Sequence, residues 1–425
     1  MPQTDLPEFA DAGHSFTALG IADAAEPLRE RWDEAQAAFA PERLAFLEEG
    51  FVRETCRSIR MGADIEEQIH KTCAAIRGSP ALRRLAWYGH YRLFRAEGRR
   101  RGIVEKWPQL PASAGPGAGL FWAAVLLSGV PEVTRFHRSR GIAPSVTLDT
   151  FSDLEVWIRE STRAEGRWSF RQLGWLSNHF SCELYKLGRL QFEFSSYRYG
   201  FRVFRRGGDG KVLALAADGM RFREDGQFHD ADRRVEERAW TASFSAEGGA
   251  IRGHPISPRG AARREAVQLP AGEWTEVLQA GDPALGTHIQ AGAPMTFELC
   301  GQSYRRALEF FPRHFPERPF RVFTCSSWLL DPQYEEYLRP GSNIVRFLRE
   351  MYLLPLPGAA DWGTFERVFG APLKDLDSAP RDTALRRAIV AHCKAGKCWR
   401  GMGSLLFPQD LAWGRQVYRS AHAGA

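Results

Sequence analysis

The sequence predicts an α+β protein: a helical N-terminal domain over residues 1–178, then a mixed-sheet domain with flanking helices over 179–425. Three observations carry this reading. The chain has 425 residues, more than one ordinary core accommodates. Up to about residue 178 its apolar residues recur at helical spacing. From Leu187 the period drops to two, and an order of strand, loop, helix, strand, helix follows.

In the first domain Leu44, Leu47, Phe51 and Ile59 keep to one side of a 3.6-residue repeat, with Thr55 filling the gap. Pro41 stands where a first helical turn tolerates it, and Gly62 is a stop. Ile65, Ile69, Cys73 and Ile76 form the next stripe, ended by Gly78 and Pro80. Further helices are expected over 81–96, 120–127, 132–140 and 149–160, with a Pro/Gly-rich connector at 108–119. In the second domain Leu190, Phe192 and Phe194 alternate with Gln191, Glu193 and Ser195, and Tyr197, Tyr199, Phe201 and Val203 continue the period. Gly207-Gly208-Asp209-Gly210 is a hairpin signal, with 211–216 as the return strand. Residues 218–275, rich in Gly, Arg and Glu, read as an irregular β insertion. Beyond it come a strand at 285–289, a loop at 290–294, an amphipathic helix at 297–315, a strand at 320–325 and a helix at 342–351. The tail holds one helix, a Gly-rich turn at 401–403 and an apolar stretch at 405–407.

Composition narrows the class. Hydrophobic residues make up 44% and charged residues 25%, the balance of a globular protein. The longest uncharged apolar candidate, Leu120 to Leu127, is far below the ~18 residues that suggest a membrane span. No secretory leader is read at the N-terminus, and seven scattered cysteines without a Cys-x-x-Cys pair read as reduced thiols, so a cytoplasmic protein is expected. His392, Cys393 and Cys398 fall short of a four-ligand zinc pattern, and no metal is expected. The net charge of +6 is mild and suits anionic ligands. Arg77, Arg83, Arg84, Arg92, Arg95, Arg99, Arg100 and Arg101 interleave with Trp87, Tyr88 and Tyr91, a mixture found on nucleic-acid surfaces. Helical spacing makes the aromatics core and the arginines a solvated face instead, so nucleic acid is not the expected partner. Arg138 to Ala143 fits an Arg-x-x-Gly-x-Ala string, but it lies between two helices and reads as a C-cap at Gly141.

Three segments can carry chemistry. Gln290-Ala291-Gly292-Ala293-Pro294 lies between a strand and a helix N-terminus, where free N–H groups and the helix dipole attract phosphate; the plain alternative is an ordinary turn. Cys325-Ser326-Ser327-Trp328 ends a strand, and with His288 it could form a nucleophile and base; the plain alternative is a buried thiol beside capping serines. Glu193 sits among apolar neighbours and is either a general base or part of a solvated face.

The strings Leu187–Glu193, Gly286–Ile289, Cys325–Leu330, Ser342–Phe347 and Gly396–Gly403, in this order, resemble the bacterial acyltransferase domain-containing proteins. Those pair a helical N-terminal domain with a GNAT-like C-terminal domain. The resemblance implies acyl-CoA as co-substrate and direct transfer to an amine on a small-molecule or peptide acceptor. It places the CoA pyrophosphate on Ile289, Gln290, Ala291, Gly292 and Ala293, and Asn343 near the CoA arm. His288 or Glu193 would be the base, and Tyr352 or Cys325 would reprotonate the thiolate. The chain departs from the family pattern at Pro294, which intrudes on a compressed loop, and at Phe347 and Glu350, where a tyrosine is usual. Two alternatives stay open: an acyl-enzyme on Cys325 or Ser326, and a non-catalytic ligand- or RNA-binding module centred on Arg99, Arg100 and Arg101. Oligomeric state is not legible.

Overall fold

The computed structural model describes residues 7–96, 102–230, 238–360, 363–370 and 375–420. Its contacts divide into two units, Met1–Leu187 with Gln290–Gly292, and Gly188–Ile289 with Ala293–Ala425.

The first unit is helical. Ala63–Gly78 buries Ile65, Ile69, Cys73 and Ile76, the stripe its spacing predicts. Pro80–His90 starts with Pro in its first turn and Ser79 accepting from the Leu82 amide, and every residue from Ala81 to His90 is buried. It runs on as a π-helical turn, Tyr91–Arg95, within the span expected to be one helix. Trp87 is core as expected, its indole donating to the Ala35 carbonyl at 2.6 Å. The solvated arginine face is a correction. Arg83, Arg84 and Arg92 are buried: Arg83 donates to the Arg77 carbonyl at 3.0 Å, Arg84 lies over the Phe39 ring at 3.9 Å, and Arg92 pairs with Glu30 at 3.2 Å. Buried guanidiniums with such partners are structural. Arg99, Arg100 and Arg101 lie outside the described residues. Residues 41–47 form 3-10 rather than α-helix. Gly141, at φ +69°, follows Arg140, the C-cap of Val130–Ser139, as the left-handed residue that ends the helix. Pro144–Glu165 begins earlier than its periodicity indicates, and Leu173–Phe180 is a helix that periodicity missed.

In the second unit five strands build the central sheet. They are β1 (Leu190–Ser196), β2 (Pro283–Ile289), β3 (Val322–Ser327), β4 (Tyr352–Ala360) and β5 (Arg400–Leu406), in the order β1-β2-β3-β5-β4. β1 and β2 pair antiparallel from Ser196↔Pro283 to Leu190↔Ile289. β2 and β3 are parallel, and the crossover between them is α1 (Phe297–His314). Alternation turns Phe192, Phe194 and Phe323 to one face. There α1 meets them edge to face, with Phe192–Tyr304 at 5.5 Å, Phe194–Phe311 at 5.0 Å and Tyr304–Phe323 at 5.1 Å. α2 (Asn343–Arg349) follows β3, with Ser342 accepting from the Val345 amide at 3.3 Å.

Two expectations change. The Gly-rich turn at 401–403 and the apolar residues 405–406 lie in one strand, β5, paired on both sides. β4 was missed because Pro355 and Pro357 argue against a strand; it lies at the sheet edge, where proline is tolerated. The insertion at 218–275 is also more regular than expected. Its strands extend a five-stranded sheet with Val212–Ala216 and Phe201–Arg206, and make a three-stranded sheet of Val267–Pro270, Ala250–Gly253 and Phe244–Glu247. Phe204, Leu215, Ile251, Leu269 and Trp274 pack between them. Among the described residues no helix is long and apolar enough to cross a membrane.

His90 and His137, buried in the first unit, set an acid limit. Burial pushes each imidazole down to about 4 from a usual 6.5, with Arg95 adding to the effect at His90. Between those values the unfolded chain binds protons that the fold refuses. Stability therefore falls as pH is lowered through this window, by about 1.4 kcal/mol per unit for each ring. Urea midpoints measured from pH 7 to pH 4.5 should drop, and a His90→Gln/His137→Gln double variant should show a flatter profile. An unchanged slope would show that neither ring controls it.

Candidate active site

The ladder between β2 and β3 covers only three pairs, Ala284↔Val322, Leu285↔Phe323 and Gly286↔Thr324. Beyond it β2 stays with β1 as far as Ile289, and β3 stays with β5 as far as Ser327. The two strands stop pairing with each other at Gly286↔Thr324, short of their carboxyl ends, while each stays with its outer partner. Open sheets bind ligands at such places.

Alternation sets Glu193, His288, Thr324 and Ser326 on one face of the sheet, opposite the α1 face. Glu193 pairs with Gly286 and His288 with Gln191, so the two side chains are diagonal neighbours. His288 Nε2 lies 2.9 Å from Glu193 Oε2, with the carboxylate 5% exposed and the imidazole 34% exposed. The imidazole meets the buried carboxylate through Nε2, and in the tautomer that carries its proton there, Nε2–H donates to Glu193. Of the four candidate catalytic residues, the structure brings these two together.

Tyr352 and Cys325 lie elsewhere. Glu193, Gly286, Thr324, Leu405 and Tyr352 form one row across the five strands. Four strand spacings put Tyr352 about 19 Å from Glu193. Its hydroxyl donates to the Ile256 carbonyl and accepts from the Ala214 amide at 3.1 Å, and burial raises its phenol. It ties the central sheet to its neighbour. Cys325 lies on the α1 face, away from His288, and burial pushes its thiol up to about 12, with Cys300 adding to it. A nucleophilic cysteine needs the opposite shift.

The loop residues divide. Ile289 is held in β2. Gln290 donates its amide to Asp153 Oδ1 at 2.6 Å and is buried, so its side chain is not directed to a phosphate. Asp153 was missed: it also meets His179 at 3.0 Å and Trp175 at 2.7 Å. These four positions are scattered from 153 to 290, and no local pattern announces them. Gly292 adopts φ +90° with open space where a Cβ would stand. Arg189 donates to the Ala293 and Pro294 carbonyls at 2.7 and 2.9 Å. Asn343 Oδ1 accepts from the Phe297 amide at 3.4 Å, capping α1 from α2. Among the described residues no cluster is suited to hold a metal.

A mixed sheet whose central parallel pair of strands is joined by a helix on one face is the architecture of a GNAT-like acyltransferase domain. The chain belongs to the GNAT-like family: the GNAT-like C-terminal domain matches residues 184–406, and the N-acyltransferase N-terminal domain matches 50–182. It is similar to a solved acyltransferase in complex with decanoyl-CoA and teicoplanin, at 26% identity and a TM-score of 0.64, over 93% of this chain and 99% of that one. An acyltransferase in complex with CoA and 10C-teicoplanin matches with the same identity, coverage and score. An acyltransferase mutant with octanoyl-CoA matches at 26% identity and a TM-score of 0.62, over 93% and 98%. No curated protein sequence matches the chain.

His288→Ala should lower kcat about 10²- to 10⁴-fold, and Glu193→Gln at least about tenfold, with melting temperatures close to wild type. Tyr352→Phe should keep kcat and lose about 1–2 kcal/mol of stability, because the Ala214 amide loses its acceptor. Kinetics and urea denaturation on the three variants check this. A collapse of kcat in Tyr352→Phe would return that residue to the site.

Proposed function

We propose that the chain transfers an acyl group from acyl-CoA directly to a primary amine of a small-molecule or peptide-like acceptor. The observation that carries this is the His288–Glu193 pair at the end of the β2–β3 ladder. Similar solved acyltransferases hold octanoyl-CoA, decanoyl-CoA and teicoplanin, which supports a medium-chain acyl donor and an acceptor larger than a metabolite.

In this reading His288 takes the proton of the attacking amine, and Glu193 stabilises the imidazolium. The thioester carbonyl lies past the end of that ladder, where main-chain N–H groups of β2 polarise it as charge develops on oxygen. Gly292 and Ala293 approach the CoA phosphates with main chain, as the positive φ and open surroundings of Gly292 permit. Gln290 contributes its backbone only, and Asn343 acts by holding the first turn of α1. Seven cysteines, none in a disulfide, support a cytoplasmic setting, where acyl-CoA is also found.

Purified protein with octanoyl- or decanoyl-CoA and a panel of primary amines should release free CoA thiol and form the matching amide by mass spectrometry. No release above the amine-free rate with any acceptor would sink the reading. Gly292→Val should raise the KM for acyl-CoA about tenfold, besides losing about 1 kcal/mol of stability to backbone strain. An unchanged KM in the folded variant would remove this loop from the donor site.

A further inference from the structure

Breaking a thioester of CoA expels an alkyl thiolate, and the expulsion is eased by a proton delivered to sulfur. Tyr352 lies at the far edge of the sheet and Cys325 on its other face. On α2, Phe347 is buried. The open face carries another pair of groups. Tyr199, in the connection between β1 and the strand Phe201–Arg206, holds its hydroxyl 2.8 Å from Ser326 Oγ and 3.1 Å from the Cys325 carbonyl.

Tyr199 is held there by construction. Gly403 is the register partner of Ser326 on β5, and a Cβ at Gly403 would fall 2.8 Å from the Tyr199 ring. Glycine is what admits the ring over the strand. Tyr197 packs edge-on against it at 5.3 Å. Continuing the parallel register past Gly286↔Thr324 would pair Thr287 with Cys325 and set His288 opposite Ser326. The parallel ladder ends before that pair, and His288 and Ser326 stand on neighbouring strands, on the same face of the sheet. The thioester of the proposed reaction would lie between them.

We propose that the Tyr199–Ser326 hydroxyl pair is the acid of the transfer, with Ser326 donating to the departing sulfur and Tyr199 resupplying Ser326. This rests on the acyl-CoA reading above. As the C–N bond forms, the amine proton passes to His288. The C–S bond breaks with its electron pair on sulfur, and sulfur takes the Ser326 proton. The Ser326 oxygen takes the Tyr199 proton, and the phenolate is reprotonated through water as the His288 imidazolium gives up its own. Amide and free thiol leave, and the protein is restored. Burial pushes the Tyr199 phenol up against the opposing effect of its Ser326 hydrogen bond, so Tyr199 keeps its proton at neutral pH until sulfur calls for it. Ser326 is catalytic in the strict sense, while Tyr199 acts through it.

The test varies the leaving group. Octanoyl-CoA needs a proton at sulfur, whereas the octanoyl thioester of 4-nitrothiophenol releases a stabilised thiolate without one. With the best amine of the panel, Ser326→Ala and Tyr199→Phe should each lower kcat on octanoyl-CoA about ten- to hundredfold, with KM within about twofold of wild type. On the activated thioester both should approach wild type, while His288→Ala stays slow on both donors. Ser326 is exposed, so its truncation carries the test should Tyr199→Phe fold poorly. Equal losses on both donors overturn this proposal alone, as does an octanoyl group found on Ser326 after acid quench, which would make it a nucleophile. Wild-type protein inert toward both donors overturns the acyl-CoA reading and the proposal with it.

Discussion

The second unit is organised by a three-pair parallel ladder that stops at Gly286↔Thr324. Each of its strands has a longer antiparallel partner on the outer side, β1 for β2 and β5 for β3. Antiparallel pairing is slightly more stable per residue than parallel pairing. The right-handed twist of neighbouring strands also turns their ends away from each other. Past Gly286↔Thr324 the central ladder gives way to the outer ones.

Strand alternation then sorts the chemistry. Odd and even positions of the same short strands serve different purposes: Phe192, Phe194, Phe323 and Cys325 build a dry layer under α1, while Glu193, His288, Thr324 and Ser326 line the other face. A one-residue slip in either register would exchange the two sets. The aromatic layer under α1 guards against that slip, since it would expose Phe192 and Phe194 and bury His288 among rings. At about 25 cal/mol per Å² of apolar area, two phenylalanines resist such a slip by several kcal/mol.

Two fully buried carboxylates show how long-range partners decide a group's state. Burial pushes the pKa of both Asp153 and Asp331 up. At Asp153, hydrogen bonds and charge from His179, with Trp175 and Gln290, overcome it and bring the carboxyl down to about 2. At Asp331 the partners are the Gln333 and Arg400 amides, the Gln333 side chain and the charge of Arg400, and burial wins, at about 6. Exposure is zero for both, so depth alone does not predict either.

Much of the fold was legible because it is local. The stripe from Ile65 to Ile76 and the alternation from Leu190 to Phe194 follow from period within a dozen residues. The strand–loop–helix near 285–315 and the family likeness of its strings named the acyltransferase class, and Glu193 and His288 were candidates before their contact was known. Their distance was not legible, because 95 residues separate them and only the β1–β2 register joins them. The same holds for Tyr352: its number placed it beside α2, but strand order sent it to the sheet edge. Tyr199, Asp153 and Gln290 took their partners from chain segments far away in sequence. By itself the sequence determined most of the helices, the alternating faces of β1 and the kind of protein. Only the tertiary structure decided which polar groups meet, because side-chain contacts across strands depend on register and order, and neither is written in any one segment.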